Sequence, residues 1–321
     1  IAAVAADHPD FHRIRNHILA RGASFSVASQ RLDALDEAFL ADPEIDAVYL
    51  TLPNALHAEW TIKAAEAGKH ILCEKPMATS LKEADEMIEA AARNRVKLMI
   101  AHVLHFLPEY AAVKKVLLKG DVGRAFSGCA LRWLGEPYFP FSSAWDGWYS
   151  RPEMGGGATL SMQIHDIDFF RSLFGDAKEV YTVSRNFNHP GSGTDDFSVT
   201  TLFFDNGTIA TCEAGFASPS PFTQQLDLLA EAGYITLRSG GLLTSIKGSG
   251  ASPVKTFYKD GRVEEVAVEE VNGYCEEIRH FVSCVVKDET PKVSPYDSRE
   301  TLRTVLACLE SANRGRNVKV S

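Results

Sequence analysis

The first hundred residues alternate short apolar runs with helical patterns, and this alternation constrains the fold more than any other feature. Strands joined by helix-length crossovers pair in parallel, so the pattern predicts βαβ units and a doubly covered parallel sheet. Residues 1–5 read as a strand, 9–21 as a helix ending at Gly22, and 32–40 as a second helix. The run Ile45-Asp46-Ala47-Val48-Tyr49-Leu50 reads as a buried strand, since near-continuous apolar character suits a sheet covered on both faces. A helix over 57–67 closes at Gly68, and a strand over 70–73 follows. Ser80-Leu81-Lys82-Glu83 has capping-box spacing and opens a helix to about Arg93, before a strand over 97–101.

Past residue 102 the rhythm changes. A helix over 108–118 leads into strands over 124–133, 180–187, 197–204 and 208–215. Asp205-Asn206-Gly207 is a strong hairpin signal, because Asn-Gly tolerates the positive φ angles of a type I′ turn. Further strands are expected over 223–229, 234–238 and 263–268, then helices over 274–286 and from Ser294-Pro295 to about Asn313. The chain of 321 residues therefore reads as an α/β protein of two domains. Residues 1–102 carry a Rossmann-type parallel sheet, and residues 103–321 an α/β domain with an open, mostly antiparallel sheet.

Charge and cysteine usage exclude several classes. The 33 basic against 42 acidic residues leave a net charge of −9, which neither nucleic acid nor an anionic membrane attracts. No apolar run approaches the ~20 residues of a spanning helix. The six cysteines are scattered without a C-x-x-C pair, so free thiols in a reducing compartment are expected, with no metal site and a cytoplasmic location.

In an open α/β sheet, ligands bind outside the carboxyl ends of the strands. One such end gives Thr51-Leu52-Pro53-Asn54-Ala55-Leu56-His57, the next Cys73-Glu74-Lys75-Pro76. Either segment alone suits a plain reading of prolines ending strands and charges in solvated loops. Together, at adjacent strand ends, they point to a site. A second cluster follows Gly155-Gly156-Gly157-Ala158 and runs through Ile164-His165-Asp166-Ile167-Asp168 to Arg171 and Leu173-Phe174-Gly175.

L-P-N-x-x-H, A-G-K-H-I-L-C-E-K-P and this glycine-led stretch, with Val293-Ser294-Pro295 and the closing helix, resemble the Gfo/Idh/MocA family of NAD(P)-dependent oxidoreductases. The resemblance spans nearly the whole chain. It implies a dinucleotide-binding Rossmann domain, a substrate domain that also mediates homo-oligomer contacts through its sheet, and a sugar or polyol substrate. Lys75 would touch both the nicotinamide ribose and the reacting oxygen, where a cation steadies an alkoxide. Glu74, Pro53, Asn54, His57 and His102 would bind the cofactor, with Pro76 forming a cis turn that aims Lys75. His165 would be the general base. Asp168, Ser161 and Trp148 would contact substrate, and Asp168 equally suits a local pairing role.

Departures from the family pattern bear on catalysis. Where many members carry an aspartate one turn before the histidine, this chain has Ser161, and Gln163 stands where a glycine is expected. His105-Phe106 replaces a common Arg-Phe pair. These changes keep open a second reading, a catalytically weak sugar or nucleotide sensor of the same fold. No G-x-G-x-x-G follows the first strand. One alignment makes residues 1–5 the second Rossmann strand, with Asp7 as the acid on the adenosine ribose, favouring NAD over NADP, and with strand 1 and the phosphate loop missing. The other makes them the first strand, with Asp7-His8-Pro9 in place of the glycines. The first is preferred, because helix, short strand and helix follow in the expected order.

Overall fold

A computed structural model of the chain describes residues 2–3, 26–27, 40–135, 148–218, 222–239, 253–269 and 271–321. Asp7 and the helices expected over 9–21 and 32–40 lie outside the described residues, apart from Leu40.

The first sheet has five parallel strands in the order β2-β1-β3-β4-β5. They are β1 (Ala2–Ala3), β2 (Ser26–Val27), β3 (Ala47–Leu50), β4 (His70–Glu74) and β5 (Leu98–Ala101). Ala2–Ala3 pairs directly with both β2 and β3, so no further strand stands between β1 and β3. Every residue of β5 is buried, as are the three apolar residues at the centre of β4. That explains why these strands read as unbroken apolar runs. Helices α1 (His57–Glu66) and α2 (Leu81–Arg93) supply the crossovers. Ser80 Oγ accepts the Glu83 N–H at 3.3 Å, and Glu83 Oε2 accepts the Thr79 N–H at 3.0 Å. The expected box thus forms, with its return bond one residue upstream.

The second sheet has nine strands in the order β13-β12-β11-β10-β6-β9-β8-β7-β14. Helix α3 (Pro108–Lys119) precedes β6 (Ala125–Trp133), and α4 (Ile164–Phe174) precedes β7 (Ala177–Arg185), β8 (Phe197–Phe204) and β9 (Ile209–Gly215). β10 (Thr223–Ala230), β11 (Gly233–Ser239), β12 (Val254–Tyr258) and β13 (Val263–Val266) continue as a meander. All pairings are antiparallel except β6 with β9. The Asn-Gly hairpin forms as expected, with Gly207 at φ +83°.

Helix α4 lies on the buried face of this sheet. Its Phe169 and Phe170 are at most 1% exposed, each contributing roughly 1.5–3 kcal/mol by burial. Gly128 on β6 makes that approach possible, since a Cβ there would sit 2.6 Å from the Phe170 ring. The chain ends with α5 (Gly273–Lys287), α6 (Pro295–Arg314) and β14 (Val318–Lys319), which pairs with β7.

By contacts the chain divides into two units: 1–102 with Tyr274–Leu302, and Val103–Gly273 with Arg303–Ser321. A single boundary near residue 102 leaves Tyr274–Leu302 with the second domain, whereas the contacts group it with the first. Two bonds show why: Arg299 Nη2 donates to Asp85 Oδ2 at 2.9 Å, and Lys97 Nζ pairs with Asp288 at 2.6 Å. No helix among the described residues is long and apolar enough to cross a membrane.

Candidate active site

In the first unit, β3 and β4 run side by side with Leu50 opposite Cys73, so their carboxyl ends deliver the two sequence segments to neighbouring positions. β3 leads to Pro53 and the buried Asn54, and β4 ends at Glu74, followed by Lys75 and a cis bond to Pro76. Glu74 is held on both oxygens: Tyr49 donates its hydroxyl to Oε1 at 2.5 Å, and the Lys75 N–H donates to Oε2 at 3.3 Å. Burial, with the negative charge of Glu74 beside it, pushes the Tyr49 hydroxyl well above its ordinary pKa, so it stays a donor.

His57 is fully buried and ties the two strand-end loops together. Its Nδ1 lies 2.7 Å from the Pro76 carbonyl oxygen and its Nε2 2.8 Å from that of Leu52. Burial lowers its pKa, while the two carbonyl acceptors pull the other way. Both ring nitrogens face main chain, so the part His57 plays is to hold the loop that carries Lys75. His102, directly after β5, is buried as well.

Glu277, on α5, has no exposed surface, and among the described residues neither of its carboxyl oxygens has a hydrogen-bond partner. Burial, and then the charge of Glu74, raise its pKa above the ordinary carboxylate range, which favours the protonated form.

In the second unit the triple glycine sets the entry to α4. Gly155 and Gly157 have φ of +76° and +97°, and a Cβ on Gly156 would lie 1.9 Å from the Tyr149 carbonyl oxygen. This close approach fixes the Trp148-Tyr149 pair, whose rings stack at 3.9 Å. A widened π-type turn over Thr159–Gln163 follows, a device that re-aims side chains at the start of a helix. It carries the buried Ser161 and leads into α4, where His165 is partly exposed.

Gln163, where a glycine was expected, pins the turn to the sheet. Its amide donates to the Ser198 and Cys212 carbonyls at 2.8 and 2.9 Å and accepts from the Thr200 hydroxyl at 2.8 Å. Asp166 faces the sheet and clasps Arg132 through two bonds of 3.0 and 2.8 Å, while Arg132 also donates to Gln224. Burial alone would draw the guanidinium pKa down, but Asp166 more than offsets it and the pKa is raised. Asp168 accepts from His105 Nε2 at 2.7 Å, with side-chain exposures of 6% and 13%.

The residues named from sequence thus gather in two places: Pro53, Asn54, His57, Glu74, Lys75 and Pro76 at the strand ends, and Ser161, His165 and Asp168 at the start of α4. Tyr49, Glu277 and the pairing of His105 with Asp168 were not anticipated. Tyr49 reads as core strand, and no spacing in the sequence connects Glu277 to Glu74.

Residues 4–102 match the family model described as the oxidoreductase family with an NAD-binding Rossmann fold, and residues 110–236 match the GFO/IDH/MocA C-terminal domain. Among curated relatives, the 1,5-anhydro-D-fructose reductase of Ensifer adhaerens is 28% identical, covering 100% of this chain and 94% of its own length. The scyllo-inositol 2-dehydrogenase (NAD(+)) of Bacillus subtilis is 31% identical over 88% of this chain and 79% of its own length. Among solved structures, myo-inositol 2-dehydrogenase from Lactobacillus plantarum has the same fold, with a TM-score of 0.80 at 22% identity over 100% of this chain and 99% of that one.

Proposed function

The chain belongs to the GFO/IDH/MocA oxidoreductase family, and from that premise we propose that it moves hydride between a nicotinamide dinucleotide and a carbinol carbon of a sugar, anhydrosugar or polyol. The braced Tyr49–Glu74–Lys75 turn at the end of β4 carries this reading. A cation, an anchored carboxylate and the buried amide of Asn54 at adjacent strand ends form a donor and acceptor set suited to ribose hydroxyls and a carboxamide. The bound nicotinamide supplies or accepts the hydride.

Lys75 steadies negative charge on the substrate oxygen as its proton leaves. Glu74 holds the ribose side of the site, and His57 keeps the turn in place through Pro76. By the family resemblance, His165 takes the hydroxyl proton as general base. Trp148, Ser161 and Asp168 complete the substrate side.

Turnover of a panel of polyols and anhydrosugars with NAD+ and NADP+ tests the reading. Lys75→Ala should lower turnover about 10²- to 10³-fold with an unchanged unfolding midpoint. Normal turnover in that variant removes Lys75 from the mechanism. Cofactor binding without turnover of any substrate favours the sensor.

We place the protein in the cytoplasm, since all six cysteines are free thiols. Homo-oligomers through the second sheet are supported by its outward face, where Tyr181, Val183, Val199, Ile209 and Leu229 are each more than a third exposed. Light scattering on wild type and Val199→Lys checks this: a smaller species in the variant supports it.

A further inference from the structure

Trp148 and the turn that carries Ser161 toward His165 are separate stretches of chain, and within the second unit one loop holds both. This loop, residues 186–196, joins β7 to β8. The Thr194 hydroxyl donates to the Tyr149 carbonyl oxygen at 2.7 Å, and the Gly193 N–H donates to the Ser150 carbonyl at 3.1 Å. One residue further on, the Asp195 carbonyl accepts the Ala158 N–H at 2.9 Å, where the widened turn begins. Contact with the glycine entry is close, since a Cβ on Gly157 would lie 3.2 Å from the Thr194 Cβ.

The loop is itself anchored at several points. Asp196 is fully buried and accepts the main-chain N–H groups of Phe187, Asn188 and His189, while its own carbonyl accepts the Phe216 N–H at 2.8 Å, just past β9. The Asn186 amide donates to the Thr194 carbonyl at 3.2 Å, and the Ser184 hydroxyl donates to the Asp195 carboxylate. Tyr149 is therefore fixed on three sides: its carbonyl by Thr194, its ring edge-on by Phe216 at 5.5 Å, and its ring face by the stack with Trp148. Gly193 and Asp195 act through main-chain groups that any residue would carry. The bond from Thr194 needs a hydroxyl, so it is the one of these three that the side chain decides.

Resting on the hydride-transfer reading above, we propose that Thr194 is a positioning residue for the substrate: through the Tyr149 carbonyl, its hydroxyl fixes the stacked Trp148–Tyr149 wall relative to the turn that leads to His165. The bonds divide the labour. The helix entry hangs on the main chain of Asp195, which a change of side chain at position 194 leaves in place. Tyr149 is held at its carbonyl by the Thr194 hydroxyl. Loss of that hydroxyl loosens the wall and spares the base, so substrate binding weakens while the chemical step is little altered.

The experiment has a kinetic arm and a spectroscopic arm. Thr194→Val keeps the Cβ that packs on Gly157 and removes only the donor. It should raise the substrate KM about tenfold, the worth of one hydrogen bond. Its kcat should stay within about threefold of wild type, and the KM for the nicotinamide cofactor should not move. Thr194→Ser, which restores the hydroxyl, should return the substrate KM to the wild-type value. In the free protein, Trp148 emission is isolated as the difference between each chain and the same chain with Trp148→Phe. Its quenching by acrylamide should rise in Thr194→Val and return to the wild-type level in Thr194→Ser.

An unchanged substrate KM in Thr194→Val overturns the proposal, as does a Thr194→Ser variant no better than Thr194→Val. A Thr194→Val chain that loses its secondary structure by circular dichroism overturns it too, because the hydroxyl then serves the fold rather than the wall. Absence of turnover by wild type with every substrate sinks the hydride-transfer reading, and the quenching arm still decides the local claim. Equal quenching of Trp148 with and without the hydroxyl shows that Thr194 does not hold the wall, whatever the substrate.

Discussion

Each unit buries an acid almost completely, and the two are treated in opposite ways. Asp166 in the second unit is clasped on both oxygens by Arg132, which is bonded in turn to Gln224. Glu277 in the first unit has no hydrogen-bond partner on either oxygen among the described residues, and burial followed by the charge of Glu74 raises its pKa. A buried ion survives where partners satisfy it; without them the group gives up its charge. The pair Asp166–Arg132 serves the architecture, holding α4 to β6, whereas Glu277, on α5, is buried without a hydrogen-bonding partner among the described residues and feels the charge of Glu74.

Breaking the satisfied side should have the largest effect. Asp166→Ala leaves the Arg132 guanidinium buried without its counter-charge and should lower stability by about 3–5 kcal/mol in urea unfolding. Replacing Arg132 and Asp166 together with Met and Leu should recover most of that loss, because two apolar side chains leave no orphaned ion. If the double variant is as unstable as the single one, the pairing argument fails.

A smaller loss is expected from the neutral network on the same helix entry. Gln163→Ala deprives the Ser198 and Cys212 carbonyls of their donor and should lower stability by about 1–3 kcal/mol. A loss as large as that of Asp166→Ala would mean that charge is not what separates the two sites.

Glu277→Gln sharpens the other side, and its effect starts from nothing. A group whose pKa is raised on folding contributes fully below its unfolded value and loses that contribution as pH rises toward the folded one. Below the ordinary carboxyl value of 4.5, wild type and variant should therefore unfold alike; from there toward neutrality the variant should gain relative stability. Parallel stability profiles across that range would show that Glu277 ionises normally.

What the sequence discloses follows from how local each feature is. The strand-end site was legible because parallel strands bring Pro53-Asn54 and Glu74-Lys75 together through two short segments, each carrying its own motif. The hairpin at Asn206-Gly207 announced itself by turn chemistry. Asp260-Gly261, with Gly261 at φ +87°, carried a similar signal for β12 and β13, although only the second strand was expected. The contact between His105 and Asp168 was not legible, since 63 residues separate the partners and nothing in either segment specifies the other. Gln163 looked like a departure because its role depends on carbonyls from two strands that follow it.

The return of Tyr274–Leu302 to the first unit sets a timetable for synthesis. When residue 102 leaves the ribosome, the parallel sheet has its strands but lacks Asp288 and Arg299, the partners of Lys97 and Asp85. Those arrive only after residues 103–273 have been translated, roughly 10–30 s later at ordinary elongation rates. Throughout that interval the nascent N-terminal unit lacks the partners of two of its ion pairs.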